Sequence, residues 1–200
     1  MTLPDKPDLT ALLGSRICHD LISPIGAISN GLELLMMDGS QGGPEMVLIS
    51  ESVANANARI RYFRVAFGLA QTDQRIGRAE VQSILSDVTR GGRLQIEWTS
   101  DADLARAEVK LAFLLIQCLE NAMAYGGRVV VTARDGRWQI SGQADKLKID
   151  TALWEMLADP NANPPITPAL VQFPLVAEEL LSRGFRLKTT LNQTDIQLEF

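Results

Sequence analysis

His19 is the only histidine in this chain of 200 residues, and it sits in Ile17-Cys18-His19-Asp20-Leu21-Ile22-Ser23-Pro24. An imidazole with an ordinary pKa of about 6.5 is largely neutral at pH 7. It is then a nitrogen nucleophile. Asp20 follows at once, although adjacent helix residues diverge by about 100°. Arg16, three positions earlier, brings a cation within reach of an anion on the ring.

The element that must carry these residues is a helix over Leu12 to Met37. Cys18, Leu21, Ile25, Ile28, Leu32 and Leu35 step by 3, 4, 3, 4 and 3, which is coiled-coil spacing along one apolar seam. His19 therefore lies on the flank of that seam. Pro24 has no N–H for the Asp20 carbonyl and predicts a kink or loosening just after His19. Ser23 and Gly26 share roughly the His19 face, and Gly26 leaves it bare for another protein.

Asp8 is the expected N-cap of this helix, the Gly-rich run Asp38 to Gly43 ends it, and Pro44 suits the first turn of a second. There Met46, Ile49, Val53, Ala56, Ile60, Phe63, Phe67 and Ala70 step by 3, 4, 3, 4, 3, 4 and 3. Two seamed helices joined by a short turn make an antiparallel hairpin. Each seam is expected to bury against the other helix, leaving Ile17, Ile22, Val47 and Leu48 poorly covered. Two hairpins from two chains would cover them in a four-helix bundle, so a homodimer is expected. Arg59, Arg61, Tyr62 and Arg64 lie off the second seam, free to meet an acidic partner.

After Thr72 to Gly77 the pattern changes, dividing the chain into 1–73 and 74–200. Ala79 to Val88 reads as a helix, Arg93 to Thr99 as a strand and Ala105 to Tyr125 as a long apolar helix closed by Gly126-Gly127. Two strands flank the turn Asp135-Gly136. Helices over Thr151 to Ala158 and Pro168 to Arg183 surround a Pro/Asn-rich loop, and Phe185 to Thr190 with Ile196 to Phe200 close the chain as a strand pair. The expected class is α+β, a helical hairpin followed by an α/β sandwich with helices on one mixed or antiparallel sheet.

Composition removes several classes of partner. The net charge of −5 gives no basic field for nucleic acid or an anionic membrane. No apolar run reaches the roughly 18 residues of a membrane span, and Met1 to Asp8 lacks the regions of a signal peptide. A cytoplasmic protein is expected. Cys18 and Cys118 sit in apolar helical patterns and read as reduced core thiols, and no Cys or His cluster has metal-ligand spacing.

His19-Asp20-Leu21-Ile22-Ser23-Pro24 resembles the H-box of sensor histidine kinases, in which a phosphorylatable histidine is followed by an acidic residue and, five positions on, by proline. The second part has the element order of their ATP-binding domain, with Gln117-Cys118-Leu119-Glu120-Asn121-Ala122 where the N-box falls. The departures are specific. Gln117 replaces the first N-box asparagine, while Asn121 matches the second. Ile140-Ser141-Gly142-Gln143-Ala144 has no carboxylate to read adenine. The segment Asp159 to Pro165 has no glycine to bring backbone N–H groups onto phosphates. With Ala27, Asn30-Gly31 and Glu33-Leu34-Leu35, the first helix resembles the ChpT-type histidine phosphotransferases of alphaproteobacteria.

That resemblance implies a homodimeric phosphorelay transferase with no cofactor of its own. His19 would take a phosphoryl group from the receiver domain of a hybrid kinase and give it to response regulators, a cell-cycle transcription factor among them. Magnesium would come from the receiver. Asp20 would support His19, and Arg16, Ile22, Ser23, Gly26, Arg59 and Tyr62 would meet the receiver. An autophosphorylating kinase with a divergent nucleotide site and a non-catalytic dimeric adaptor are the alternatives.

Overall fold

The computed structural model describes residues 8–38, 43–71, 73–159 and 162–200. The expected ends of the hairpin turn, in 39–42, and the middle of the Pro/Asn-rich loop lie outside these residues. Helices α1 (Leu9–Asp38) and α2 (Pro44–Ala66) form the hairpin. The Asp8 carboxylate accepts from the backbone N–H of Thr10 at 3.0 Å and of Ala11 at 3.1 Å, which satisfies N–H groups that have no partner within the helix. α1 continues as one helix through Pro24. The helices approach closely where Pro24 and Gly31 are buried, and a Cβ on Gly31 would stand 2.7 Å from Ile49 Cγ1.

This packing corrects the expected use of the seams. Pro24, Ala27 and Gly31 of α1 line the contact with α2, where Gly31 meets the seam residue Ile49, while the seam residues Ile25, Leu32, Met46, Val53 and Ile60 remain exposed in the single chain. Cys18 is exposed as well, contrary to its expected place in a core, whereas Cys118 is buried and its thiol pKa is pushed up by desolvation. Both faces obey the same 3–4 spacing, and small residues rather than large ones permit the close helix approach.

Beyond α2 come β1 (Arg75–Gly77), α3 (Arg78–Thr89), β2 (Leu94–Ser100), β3 (Asp103–Ala105), α4 (Arg106–Ala122), β4 (Gly127–Arg134) and β5 (Arg137–Gln143). α5 (Thr151–Met156), a 3-10 turn at Pro168–Leu170, α6 (Gln172–Arg183), β6 (Lys188–Leu191) and β7 (Asp195–Glu199) complete the chain. The main sheet has the order β2-β4-β5-β7-β6, with β2 parallel to β4 and the other neighbours antiparallel. The parallel pair needs a crossover, which α4 provides. Asp135 and Gly136, at φ 51° and 71°, make the tight turn between β4 and β5 with both residues left-handed. β1 and β3 pair as a separate ribbon that the sequence reading missed; strands of three residues show no periodicity.

The middle of α4 lies at the centre of the core, with every residue from Leu111 to Leu119 buried. The sheet covers one side of the helix and α2 and α6 another. Alternate residues Val129, Val131 and Ala133 of β4 and Trp138 and Ile140 of β5 face this core, the alternation of a sheet buried on one face. The lower end of α2 enters the same core through Tyr62, Val65 and Ala66. Arg61 donates to Asp87 of α3 at 2.8 Å. Tyr62 and Arg61 therefore anchor the joint between the two parts.

Glu179 of α6 accepts from Arg183 at 2.9 Å and pairs with Lys110 of α4, while Arg183 reaches the Ala70 carbonyl at 3.2 Å. Burial raises the Glu179 pKa, but the bonds from Lys110 and Arg183 outweigh it and hold the carboxyl below its usual value. A carboxylate with a depressed folded pKa stabilises above its unfolded pKa of about 4.3, and that contribution is lost as pH falls through the folded value. Glu179→Gln should cost about 1 kcal/mol at pH 7, with the difference from the parent fading below about pH 4. Urea unfolding across pH 3–7 measures it, and a pH-independent difference would contradict the assignment.

Candidate functional site

Position on α1 gives His19 its accessibility. Its side chain is 86% exposed, whereas Asp20, one residue on, is turned inward and 12% exposed. The His19 Nδ1 lies 3.2 Å from Asp20 Oδ1. The other carboxylate oxygen, Oδ2, accepts from Arg16 Nε at 2.7 Å and stands 3.8 Å from Arg59 Nη1. Neighbours on a helix point apart, so this arrangement brings a carboxylate back beside the ring of its own predecessor. A carboxylate can only accept there, and the contact is a hydrogen bond when Nδ1 carries the proton. Nε2, across the ring, is then the nitrogen with the free lone pair.

Three hollows meet at Asp20. A groove of about 420 Å³ runs along α1 and α2 past His19, Ser23, Pro24, Ser52, Asn55 and Arg59. A cleft of about 570 Å³ separates His19 and Arg16 from Glu120, Asn121, Thr167 and Pro168 of the second part. A third, of about 550 Å³, continues beneath Arg59 toward Thr89 and Arg93. Desolvation in the cleft raises the Glu120 pKa, opposed by Arg16 and Arg59 and reinforced by Asp20. The site thus carries two carboxylates and two guanidinium groups on the inner side of one exposed imidazole.

The expected site residues divide. Ile22 at 68% exposure, with Ser23 and Gly26, shares the open side of α1 with His19. Arg59 is half-buried, donates to Asn55 Oδ1 at 3.0 Å and faces the groove. Arg16 points inward: besides Asp20, its Nη1 donates to the Ala169 carbonyl at 2.9 Å and approaches Gln172 Oε1 at 3.5 Å. The expected receiver contact at Tyr62 is corrected. Its ring is buried against Phe113 with centroids 4.7 Å apart, and its hydroxyl donates to the Phe113 carbonyl at 2.7 Å. Burial pushes the phenol pKa well above its ordinary value. Arg61 is likewise held by α3.

Glu120, Ala169 and Gln172 were missed as site residues. Glu120 adjoins the N-box-like asparagine, but no local pattern links residue 16 with residues 153 and 156 positions away.

Residues 78–195 match the family described as histidine phosphotransferase C-terminal domain. The protein phosphotransferase ChpT of Brucella abortus (strain 2308) is 34% identical over 171 residues, 82% of this chain and 81% of that protein. The chain belongs to the ChpT-type histidine phosphotransferases. A solved bacterial phosphotransferase superimposes with TM-score 0.81 at 31% identity, covering 99% of both chains. A histidine kinase domain of the Erythrobacter litoralis EL346 blue-light activated histidine kinase aligns with TM-score 0.46 at 16% identity, over 96% of this chain and 92% of that one. As a family member this chain is a phosphoryl transferase of the α+β class expected from its sequence.

The N-box-like stretch of α4 and the neighbouring strand β5 pack into the core. Gln117, at the first N-box position, is 4% exposed, and neither polar atom of its amide has a hydrogen-bond partner. On β5, Gly142 packs against α4, where a Cβ would meet Leu119 and Met123 at 3.0 Å. Among the described residues no group of three or more His, Cys, Asp or Glu is placed to hold a metal ion.

A buried amide without partners is destabilising, because folding removes its water and returns nothing. Gln117→Met, of similar shape, should leave stability unchanged or raise it by about 1 kcal/mol in urea unfolding. A loss of that size would reveal a partner for the amide.

Proposed function

We propose that the protein is a phosphorelay intermediate: His19 accepts a phosphoryl group from the aspartyl phosphate of a hybrid kinase's receiver domain and passes it to response-regulator receivers, without binding ATP. The observation that carries this reading is the exposed His19 ring with Nδ1 against the inward-held Asp20 carboxylate. In the forward step Nε2 attacks phosphorus, an N–P bond forms, and the P–O bond to the receiver aspartate breaks with its electron pair left on that carboxylate. The imidazole gains positive charge as it reacts, and Asp20 stabilises the ring through the Nδ1 proton. The reverse step, with a second receiver aspartate as nucleophile, restores neutral His19. Positioning and charge neutralisation supply the rest, and the receiver brings its own magnesium.

Ile22, Ser23 and Gly26 offer the receiver an open helix face beside the nucleophile, and Arg59 offers it a cation across the groove. Asn121 and Thr167 line the opposite wall of the cleft at His19, which supports a second part that adds contacts to a docked receiver. The boundary near residue 73 separates this part from the hairpin in function, although the two share one core. Among the described residues no helix is long and apolar enough to cross a membrane, and the reading is of a cytoplasmic carrier that uses neither nucleic acid nor lipid.

The exposed stripe of Ile25, Leu32, Met46, Val53 and Ile60 lies on one side of the hairpin, away from His19. Pairing this stripe with a second copy completes a four-helix bundle and leaves two histidines facing outward. Ile25→Glu with Val53→Glu should halve the mass measured by light scattering. A parent already monomeric at micromolar concentration contradicts the dimer.

Acid-labile phosphate tests the relay after the purified protein is mixed with a phosphorylated receiver and magnesium, beside His19→Ala and beside ATP. The expected result is label from the receiver, lost in His19→Ala, with none from ATP. Label from ATP makes the protein a kinase. Receiver binding without label makes it an adaptor.

A further inference from the structure

We propose that Arg16 is a positioning residue: anchored by Ala169 and Gln172 of the second part, it holds the Asp20 carboxylate so that His19 presents Nε2 to the phosphoryl group. The proposal deepens the phosphorelay reading and rests on it for the identity of the reaction. Its physical part, the hold on the imidazole, stands on the geometry.

An aspartate on a helix surface has little reason to lie beside the ring that precedes it. Successive side chains leave the axis about 100° apart, and a free carboxylate favours rotamers open to water. Arg16 lies one turn before Asp20, on the same strip of α1. Its Nε takes Asp20 Oδ2 at 2.7 Å, which leaves Oδ1 3.2 Å from His19 Nδ1. One oxygen is thus committed to the guanidinium and the other to the ring.

Arg16 is itself fixed from outside the hairpin. Its Nη1 donates to the Ala169 carbonyl at 2.9 Å, with Gln172 Oε1 at 3.5 Å, and its side chain is 18% exposed. The guanidinium is planar, so bonds at Nε and Nη1 set its orientation together. A lysine ammonium would bring the charge without the fork. The second part of the molecule therefore supports the phosphoacceptor through Arg16. Removing Arg16 frees Asp20 to turn to solvent and leaves the ring free to carry its proton on Nε2, the nitrogen that must be bare for attack.

A lone histidine makes the test specific to the site. In protein labelled with 15N-histidine, long-range proton–nitrogen correlation spectra report the tautomer populations of His19 and of nothing else. The full-length parent is expected to show mainly the Nδ1–H form above pH 7.5. Arg16→Gln should shift it toward Nε2–H and slow transfer from a saturating phosphorylated receiver about tenfold, with KM changed less than about twofold. Arg16→Lys should fall between the two in both readouts and carries the test if Arg16→Gln does not fold.

Unchanged tautomer populations in a folded Arg16 variant overturn the proposal. So does a loss confined to KM, which would make Arg16 a docking residue. If the parent takes no phosphoryl group from receivers, the relay reading fails by that result, and the spectra still decide whether Arg16 holds the ring.

Discussion

The stacking of Tyr62 on Phe113, with the tyrosine hydroxyl bound to the Phe113 carbonyl, is the constraint on which the rest of the structure depends. It plugs the lower end of the hairpin into the middle of α4, the helix with most of its surface buried. Because α6 packs on the same helix, this joint fixes where the 3-10 turn and the start of α6 stand relative to α1. Only with that placement do Ala169 and Gln172 come within reach of Arg16. A contact well removed from His19 thereby determines what lies behind it. Arg61 of α2, bound to Asp87 of α3, and Arg106, which donates to the Arg64 carbonyl at 2.8 Å, brace the same joint on either side.

The joint also gives the second part a role at His19. A phosphoryl carrier needs an exposed nucleophile with a controlled proton, and a helix surface offers the exposure without the control. Control requires an acceptor at one ring nitrogen, and Asp20 can serve only if something turns it inward. The hairpin supplies Arg16 and Arg59 for this purpose, but a long side chain on a bare helix would lose its position to rotamer freedom. A second layer of protein removes that freedom.

The alternation of strands and helices after residue 73, the Asp135-Gly136 turn, the Asp8 cap and the exposed His19 were all legible in the sequence, because each is set by residues near one another in the chain. The seams were legible only in part. Residues 18, 21, 25, 28, 32 and 35 are spaced as a helix interface, and so are 17, 20, 24, 27, 31 and 35. Spacing shows that a helix has a contact face but not whether its own chain or another fills it. Size decides here. Pro24, Ala27 and Gly31 let α2 approach closely, and the larger Ile25 and Leu32 are left outside.

Tyr62 and Arg16 were misread for a different reason. Tyr62 is expected at the surface because it falls off the second apolar seam, and Arg16 because it stands beside His19, yet a helix beside a second layer has more than one buried side. Tyr62 is covered by Phe113, 51 positions on, and Arg16 by residues more than 150 positions away. No local period carries such information; only the packing of α4 and α6 does. The same packing accounts for Gln117. In the fully buried stretch Leu111 to Leu119 it is a polar residue that borders the clefts beside His19. α4 is thus a core helix that holds α2 and α6 in place around His19.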